Sequence, residues 1–225
     1  MADFYPGAYK KGKIDFYGRE FFVSSDVLIP RPETEQMVDF VLSLFGKQIL
    51  PGVKPREPRI IVRGSGKSRI LDVGTGSGCV GISVKLEIPE AEVILSDISK
   101  KALDVARRNA GKMGADVEFL KSDLLKGVEG DVEVILANLP YVDRNWEWLS
   151  NPESRGLKFE PETALFAENG GLELIFRLIT EARGRAKFLI LEADPCQHEE
   201  IIEFCEKNGF LFEEKQGFEL LFSAK

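Results

Sequence analysis

The sequence has little of what supports disulfide-rich, metal-binding or membrane-spanning proteins. Its three cysteines, Cys79, Cys196 and Cys205, are scattered and form no CxxC pair, so neither a disulfide framework nor a zinc site is indicated. The single histidine, His198, is expected to be solvated and not catalytic. No apolar run approaches the length of a membrane span, and residues 1–13 lack the apolar core of a signal peptide. We therefore expect a cytoplasmic protein without a bound metal.

An excess of positive charge is also missing. The 225 residues carry a formal net charge of −7, and basic residues are mixed with acidic ones along the chain. Extended contact with a nucleic-acid backbone depends on clustered Lys and Arg, so nucleic acid is a disfavoured partner. With 44% hydrophobic residues, the chain is long enough for one sizeable core and too short for two. We divide it into an N-terminal segment, residues 1–32, and one main domain, residues 33–225.

The N-terminal part contains a predicted strand pair, a helix and a long connection. Residues 14–29 hold β-branched and aromatic residues on both sides of a Tyr17-Gly18 turn, and a helix is predicted at 33–46. Residues 46–68 contain three prolines and four glycines and read as a connection, with an extended piece at 60–62. The end of this connection resembles a phosphate loop, but it precedes a strand instead of following one, so we favour a surface loop.

Short apolar runs alternate with helical segments from Arg69 onward. Strands are predicted at 69–73, 92–96, 117–120, 131–137 and 186–192, and helices at 78–87, 99–113, 169–183 and 197–208. Such alternation predicts an α/β fold with a parallel sheet covered by helices. Two final strands, 210–213 and 218–222, flank a turn at 214–217 and predict a hairpin. The expected sheet therefore has seven strands and is mostly parallel, with an antiparallel strand at the C-terminus.

A glycine-rich turn follows the first strand of this alternation. The segment 70–78 is an apolar strand that continues into Gly74, Gly76 and Gly78 and then into a helix. Glycine suits such a turn because the backbone must bend sharply and approach a ligand with no Cβ in the way. The spacing is GxGxG, whereas a dinucleotide fingerprint has its third glycine where this chain has Cys79. The turn therefore predicts nucleotide binding and disfavours a dehydrogenase.

Acidic residues lie at the ends of three predicted strands. Asp72 ends the first, Asp97 follows the second 19 residues after Gly78, and Asp123 follows the third. Ligands of open parallel sheets sit outside the carboxyl ends of the strands, so we expect these acids around one ligand. Asp97 can accept both ribose hydroxyls of a dinucleotide or of S-adenosylmethionine, or it can cap the next helix. Asp123 faces an adenine amino group or lies in a surface turn, and Asp72 orients the loop or meets the amino-acid end of the ligand.

The fourth strand ends on Asn138, which is followed by Leu139, Pro140 and Tyr141. The Asn138 side-chain oxygen and the Leu139 carbonyl can each accept one hydrogen of a planar NH2 group, while Tyr141 stacks on this group or meets its edge. A strand-ending turn with a packed tyrosine is the alternative interpretation. The segment therefore predicts a site for an amide or amine nitrogen.

At this point the sequence resembles a known family. Asn-(Pro or Leu)-Pro-Tyr after the fourth strand is the motif of amino- and amide-directed methyltransferases, and an antiparallel C-terminal edge is typical of their Rossmann-like class. Residues 28–35, Leu-Ile-Pro-Arg-Pro-Glu-Thr-Glu, are very similar to the signature of the HemK/PrmC family, the release factor glutamine methyltransferases. Residues 159–166, 170–172 and 191–197 are also similar to family segments. The resemblance, from about Ile14 to Gln197, implies methyl transfer from S-adenosylmethionine to the glutamine amide of a release factor's Gly-Gly-Gln motif.

The predicted site combines the strand ends with this resemblance. The cofactor, expected to be S-adenosylmethionine with S-adenosylhomocysteine as product, is assigned to Asp72, Gly74, Thr75, Gly76, Ser77, Gly78, Asp97, Ile98, Ser122, Asp123, Leu124 and Asn138. The catalytic positions are Asn138, Leu139, Pro140 and Tyr141. The substrate-binding positions are Arg31, Pro32, Glu33, Asn138, Pro140 and Tyr141.

Three departures from the family pattern leave the substrate open. Leu139 replaces the usual first proline and makes the motif similar to that of ribosomal RNA adenine dimethyltransferases, although its carbonyl can still accept a hydrogen bond. The chain starts almost at the hairpin, without the family's helical N-terminal domain, which a partner chain is then expected to supply. Residues 218–222 lack the family's usual Asp and Arg. The alternatives are a ribosomal protein glutamine, an adenine amino group in RNA, or a non-catalytic subunit that binds S-adenosylmethionine.

Overall fold

The computed structural model describes residues 5–47 and 68–225. The predicted connection at 46–68, with its extended piece and its phosphate-loop-like end, lies almost entirely outside the described residues. The described strands are β1 (Lys13–Phe16), β2 (Arg19–Phe22), β3 (Arg69–Val73), β4 (Glu92–Asp97), β5 (Glu118–Lys121), β6 (Val132–Ala137), β7 (Ala186–Glu192), β8 (Phe210–Gln216) and β9 (Glu219–Ala224). The described α-helices are α1 (Gly7–Lys11), α2 (Glu35–Leu44), α3 (Cys79–Glu87), α4 (Lys100–Met113), α5 (Glu173–Ala182) and α6 (His198–Lys207). Short 3-10 helices lie at Glu147–Ser150, Pro152–Phe159, Glu162–Ala164 and Pro195–Gln197.

Seven of the described strands form one sheet in the order β5-β4-β3-β6-β7-β9-β8. Strands β3 to β7 pair in parallel, and β9 inserts antiparallel between β7 and β8. Every residue of β3 after Arg69 is buried, as expected for the centre of a parallel sheet that is covered on both faces. The predicted α/β fold, with a mostly parallel seven-stranded sheet and an antiparallel C-terminal strand, is confirmed.

Helices cover both faces of this sheet. Successive strand residues point to opposite sides, so Ile70 packs with α2, α3 and α4, whereas Leu71 packs with α5 and α6. The two resulting cores differ little in character, since both consist mainly of aliphatic side chains with a few phenylalanines. None of the helices in the described ranges combines the length and the apolar character needed to cross a membrane.

The predicted strand pair is confirmed for β1 and β2, which pack on the helical layer, but residues 23–29 form no strand. The turn residues Tyr17 and Gly18 have φ of 48° and 69°, the left-handed conformation that two-residue hairpin turns favour. The buried Asn109 of α4 accepts from the Phe22 backbone N–H at 2.7 Å and donates to the Ser77 carbonyl at 2.8 Å. One side chain therefore ties the hairpin to the glycine turn after β3. The predicted domain boundary after residue 32 stays a prediction.

Two predicted boundaries are wrong for identifiable reasons. Helix α5 begins at Glu173 and not at residue 169, because Asn169, Gly170 and Gly171 all have positive φ and cannot belong to a right-handed helix. The C-terminal hairpin turns at Gly217, with φ 58°, and strand β8 extends through the predicted turn to Gln216. The pairing with β9 shifts register between Phe212 and Glu214. The polar residues after this shift, predicted to form the turn, therefore continue strand β8.

Candidate functional site

The carboxyl ends of the parallel strands surround a cavity of about 350 Å³. The glycine turn after β3, the end of β4, the turn after β5 and the segment after β6 all contribute to its wall. The predicted positions that line it are Arg31, Asp72, Gly74, Thr75, Gly76, Ser77, Asp97, Ile98, Ser122, Asp123, Leu124, Asn138, Leu139 and Pro140. Pro32, Glu33, Gly78 and Tyr141 do not line it. The fold therefore brings most of the predicted cofactor and acceptor positions to one place.

The glycine turn has a backbone that other residues would not adopt. Gly74 and Gly78 have φ of 71° and 81°, and a Cβ on Gly78 would lie 2.7 Å from the Ile82 side chain and 3.1 Å from Ala106. Gly78 is therefore needed for the packing of α3 on α4, which explains why it is absent from the cavity wall. A Cβ on Gly74 would contact Leu139 at 3.0 Å. The glycine turn and the segment after β6 thus pack directly against each other.

Asp72 is a buried organiser of this turn. Its Oδ2 atom accepts from the Thr75 hydroxyl at 2.6 Å and from the Gly81 backbone N–H at 3.0 Å. Burial raises the pKa of Asp72 to about 6, and these two hydrogen bonds oppose that rise. Of the two predicted roles, the contacts support the orientation of the loop.

Asp97 joins the turn to the end of β4. Its Oδ2 atom accepts from the Gly76 N–H at 3.0 Å, and its Oδ1 atom accepts from the Ser99 N–H at 2.8 Å. Burial raises its pKa, and these backbone donors oppose the rise. The side chain that caps α4 is Ser99, which accepts from the Ala102 N–H, so the helix-cap interpretation of Asp97 is wrong. Each carboxylate oxygen keeps acceptor capacity for a further donor at the cavity.

Apolar and charged groups share the next part of the wall. Ile98 is 61% exposed although it is a large hydrophobic residue, and it borders the cavity together with Leu124 and Leu174. An apolar side chain left open beside a polar carboxylate suits a flat heterocycle whose sugar reaches that carboxylate. The Asp123 carboxylate, by contrast, is paired with Arg177 at 3.0 Å and with Lys126 at 3.1 Å. Its predicted contact with an adenine amino group therefore competes with two salt bridges.

The acceptor segment, residues 138–141 after β6, lies against the buried Glu192. The Asn138 amide nitrogen donates to the Thr34 hydroxyl at 3.2 Å, and the Tyr141 hydroxyl donates to Glu192 Oε1 at 3.4 Å. Burial raises the pKa of Glu192 to about 7, while the Thr34, Tyr141 and Asn138 side chains lower it. Burial and the nearby Glu192 charge also raise the pKa of the Tyr141 hydroxyl, which stays neutral. Tyr141 thus holds the acceptor segment through Glu192 and does not line the cavity. Its predicted stacking on a substrate remains a prediction.

The backbone of this segment is held from a second direction. The Gln197 amide nitrogen donates to the Tyr141 carbonyl at 2.8 Å and to the Gly170 carbonyl at 2.7 Å. Gly171 has φ 85°, and a Cβ there would overlap the Tyr141 carbonyl oxygen. The close approach therefore requires glycine, and it fixes where the acceptor segment leaves β6.

A remote segment closes the cavity opposite the sheet. Glu160 is buried and accepts from the Ile29 N–H at 2.9 Å and from the Arg31 guanidinium at 2.6 Å. Arg31 lines the cavity, as do Pro161 and Thr163 from the segment that follows Glu160. The exposed Pro32 and Glu33 point elsewhere. Of the three predicted substrate-binding residues at positions 31–33, Arg31 alone lines the cavity.

Sequence reasoning missed the side chains that support the site. Thr34, Glu160, Glu192 and Gln197 lie in segments that resemble the family, but they were not selected as site residues. The sequence feature that could have identified them is a polar residue at the end of a strand or beside the start of a helix. His198, predicted to be solvated, is buried at 2% exposure with its ring nitrogen 3.1 Å from the Ala193 carbonyl, so that prediction is wrong.

Several known proteins are similar to this chain in sequence. A family model described as "Methyltransferase small domain" matches residues 61–148. A release factor glutamine methyltransferase from Neisseria gonorrhoeae is 38% identical over 211 residues, which are 91% of this chain and 69% of that protein. The corresponding protein from Enterococcus faecalis is 38% identical over 184 residues, 81% of this chain and 59% of that protein. The chain thus spans less than two thirds of some of these relatives.

Solved structures show the same fold at low sequence identity. A 16S rRNA N2 G1207 methyltransferase from Thermus thermophilus, in complex with AdoMet and guanosine, has a TM-score of 0.63 and 14% identity, over 95% of this chain and 49% of that one. A ribosomal protein L11 methylase from Lactobacillus delbrueckii subsp. bulgaricus has a TM-score of 0.58 and 20% identity, over 90% of this chain and 84% of that one. At these identities the similarity is one of fold alone.

Proposed function

The chain belongs to the family of release factor glutamine methyltransferases, and from this premise we propose that it transfers a methyl group from S-adenosylmethionine to a side-chain amide nitrogen of a protein glutamine. The substrate we propose is the glutamine of the Gly-Gly-Gln motif in a peptide chain release factor. The observation that carries the proposal is the orientation of Asn138. Its amide nitrogen is held by Thr34, which leaves its oxygen for a substrate N–H beside the glycine turn.

The residues around the cavity fit S-adenosylmethionine. The turn at Gly74 and Gly76 has the positive φ that glycine adopts without strain, Asp97 keeps acceptor capacity for the ribose hydroxyls, and Ile98 offers an apolar surface to adenine. The cofactor supplies a methyl group on a positively charged sulfur, which is a good electrophile. The carboxylates at this end of the sheet would favour the binding of such a positive charge.

Alignment is the principal task of the protein in this reaction. An amide nitrogen is a poor nucleophile, and holding two reactants in attack geometry contributes roughly 7 to 11 kcal/mol. The Asn138 oxygen and the Leu139 carbonyl each accept one amide hydrogen, so the nitrogen faces the methyl group. With the cofactor bound, a C–N bond would form as its C–S bond breaks, and the nitrogen would then release one proton to solvent. The carbonyl dipoles stabilise the positive charge that develops on nitrogen.

Replacement of Asn138 tests this assignment. Asn138→Ala should lower kcat by at least about 100-fold, since it removes a hydrogen bond that strengthens in the transition state, while the affinity for S-adenosylmethionine changes little. The assay follows transfer of labelled methyl groups to a purified release factor, with calorimetry for cofactor binding. Glu133→Gln is the control, because Glu133 lies at the opposite end of β6 and pairs with Lys187. Full activity of Asn138→Ala would refute the assignment.

The same assay separates the alternative substrates. Candidate release factors, ribosomal proteins and RNA are offered separately, and label in RNA alone would favour the adenine substrate suggested by Leu139. The net charge of −7 argues against that outcome. Activity that appears only after a second chain is added would support a partner subunit, and the absence of label in every substrate would favour a non-catalytic binding role. We also propose a cytoplasmic location.

A further inference from the structure

Two buried glutamates face each other beneath the acceptor segment, and the proposed mechanism does not use them. Glu192 ends β7 and Glu219 begins β9, and the two are directly opposite in the antiparallel register. They are 2% and 0% exposed. Neighbouring carboxyl groups without solvent cannot both ionise at low cost. The pair therefore retains one proton near neutral pH.

The surroundings decide which glutamate carries the charge. Burial, together with the charges of Glu192 and Glu33, raises the pKa of Glu219 to about 9. Burial raises the pKa of Glu192 only to about 7, because the Thr34, Tyr141 and Asn138 side chains lower it. Three other ionisable groups lie nearby. The charge of Asp194 raises the pKa of Tyr141 and that of Arg31 lowers it, while the charge of Glu192 raises the pKa of Cys79. Neither glutamate forms a salt bridge in the part of the chain that the structure describes.

Thr34 connects Glu192 to Asn138. It flanks the start of α2, but its side chain caps no backbone N–H of that helix. Its buried oxygen accepts from the Asn138 amide nitrogen, so its single hydrogen is left to donate elsewhere. The Oε2 atom of Glu192 has no hydrogen bond of normal geometry within the described residues, yet the Thr34 hydroxyl and the Asn138 amide both lower the pKa of this carboxyl. Both side chains therefore lie near enough to Glu192 to favour its ionised form.

We propose that Glu192 is a positioning residue that sets the direction of this hydrogen-bond chain and so fixes which atom of the Asn138 amide faces the substrate. An ionised Glu192 can only accept hydrogen bonds, so the Thr34 hydroxyl donates to it. The Thr34 oxygen then accepts from the Asn138 nitrogen, and the Asn138 oxygen faces the cavity. A protonated Glu192 can donate to Thr34, which then donates to the Asn138 oxygen and turns the amide over. Glu219 holds the second proton throughout this change. The inference rests on the proposed function of Asn138.

The pH dependence of kcat distinguishes this role from a structural one. In the wild type, kcat should increase with pH, with a midpoint near pH 7, and reach a plateau more than one pH unit higher. Glu192→Gln should lower the plateau about tenfold or more, the effect of losing a hydrogen bond to a charged group, while cofactor affinity is retained. Glu219→Gln should leave the acid limb in place, since it replaces a carboxyl that is still protonated over this range with an uncharged amide. Thr34→Ser should keep the wild-type profile and Thr34→Val should lose it.

A measurement without substrate separates this inference from the proposed function. The side-chain NH2 resonances of Asn138, followed by NMR in the full chain, should titrate near pH 7 in the wild type and should not titrate in Glu192→Gln. Glu133→Gln serves as the matched control. Wild-type kcat in Glu192→Gln, or an acid limb that persists in Glu192→Gln, would overturn the inference. A titrating Asn138 in a chain that methylates no glutamine would instead refute the proposed function alone.

Discussion

The buried Glu219 should make the protein less stable as pH rises through the neutral range. Its pKa is about 9 in the folded chain, against an ordinary value of 4.5 in the unfolded chain. Between these values the folded state binds a proton that the unfolded state has released. The stabilisation is therefore complete below about pH 4.5 and is lost progressively as pH rises towards 9. Each pH unit in this window lowers the free energy of unfolding by about 1.4 kcal/mol, so the change from pH 6.5 to 8 amounts to about 2 kcal/mol.

Urea unfolding followed by far-UV circular dichroism measures this slope directly. Wild type and Glu219→Gln are compared at pH 6.5, 7.2 and 8 in buffers of equal ionic strength with reductant, a range chosen to stay below cysteine titration. The variant should lose most of the slope, whereas Glu133→Gln should keep it. Glu192 contributes only at the lower end, because its pKa is about 7. A wild-type free energy of unfolding that is constant over this range, or a slope unchanged in Glu219→Gln, would refute the reasoning.

Two further substitutions test the cofactor and acceptor sides separately. Asp97→Ala should weaken the binding of S-adenosylmethionine roughly 10- to 150-fold, the equivalent of one lost hydrogen bond to a charged group, and calorimetry that finds an unchanged Kd would contradict the ribose contact. Gly171→Ala places a Cβ on the Tyr141 carbonyl in a left-handed backbone, so it should lower the Tm in a thermal melt and reduce kcat together. A wild-type Tm in this variant would show that the contact is not needed.

Much of the fold was predictable because apolar runs and glycines mark its strands. Strands β3 and β7 have the bounds that the sequence predicts, since both are mainly apolar and a glycine or proline lies within three residues of each end. The start of α5 was not predictable from periodicity, because Asn169 adopts a left-handed conformation that its residue type permits but does not require. The register shift near Phe212 likewise depends on pairing with β9, which no local pattern records.

The residues of the site were likewise predictable only in part. Asp72, Asp97 and Asn138 were predictable because each ends a strand whose position in the sheet follows from the alternation. Their supports were not, because the contacts join residues that lie far apart in the chain. Thr34 is 104 residues from Asn138, and Glu192 is 51 residues from Tyr141. Only packing in three dimensions brings such pairs together.

The contact between Ile29 and Glu160 also bears on how the protein is made. These residues are 131 positions apart, so at roughly 5 to 20 residues per second a ribosome adds Glu160 about 7 to 26 seconds after Ile29. During that interval the Ile29 N–H and the Arg31 guanidinium have not yet met the carboxylate that holds them over the cavity. The cofactor cavity is therefore completed late in synthesis, and a nascent chain that ends before residue 160 has a glycine turn without its cover.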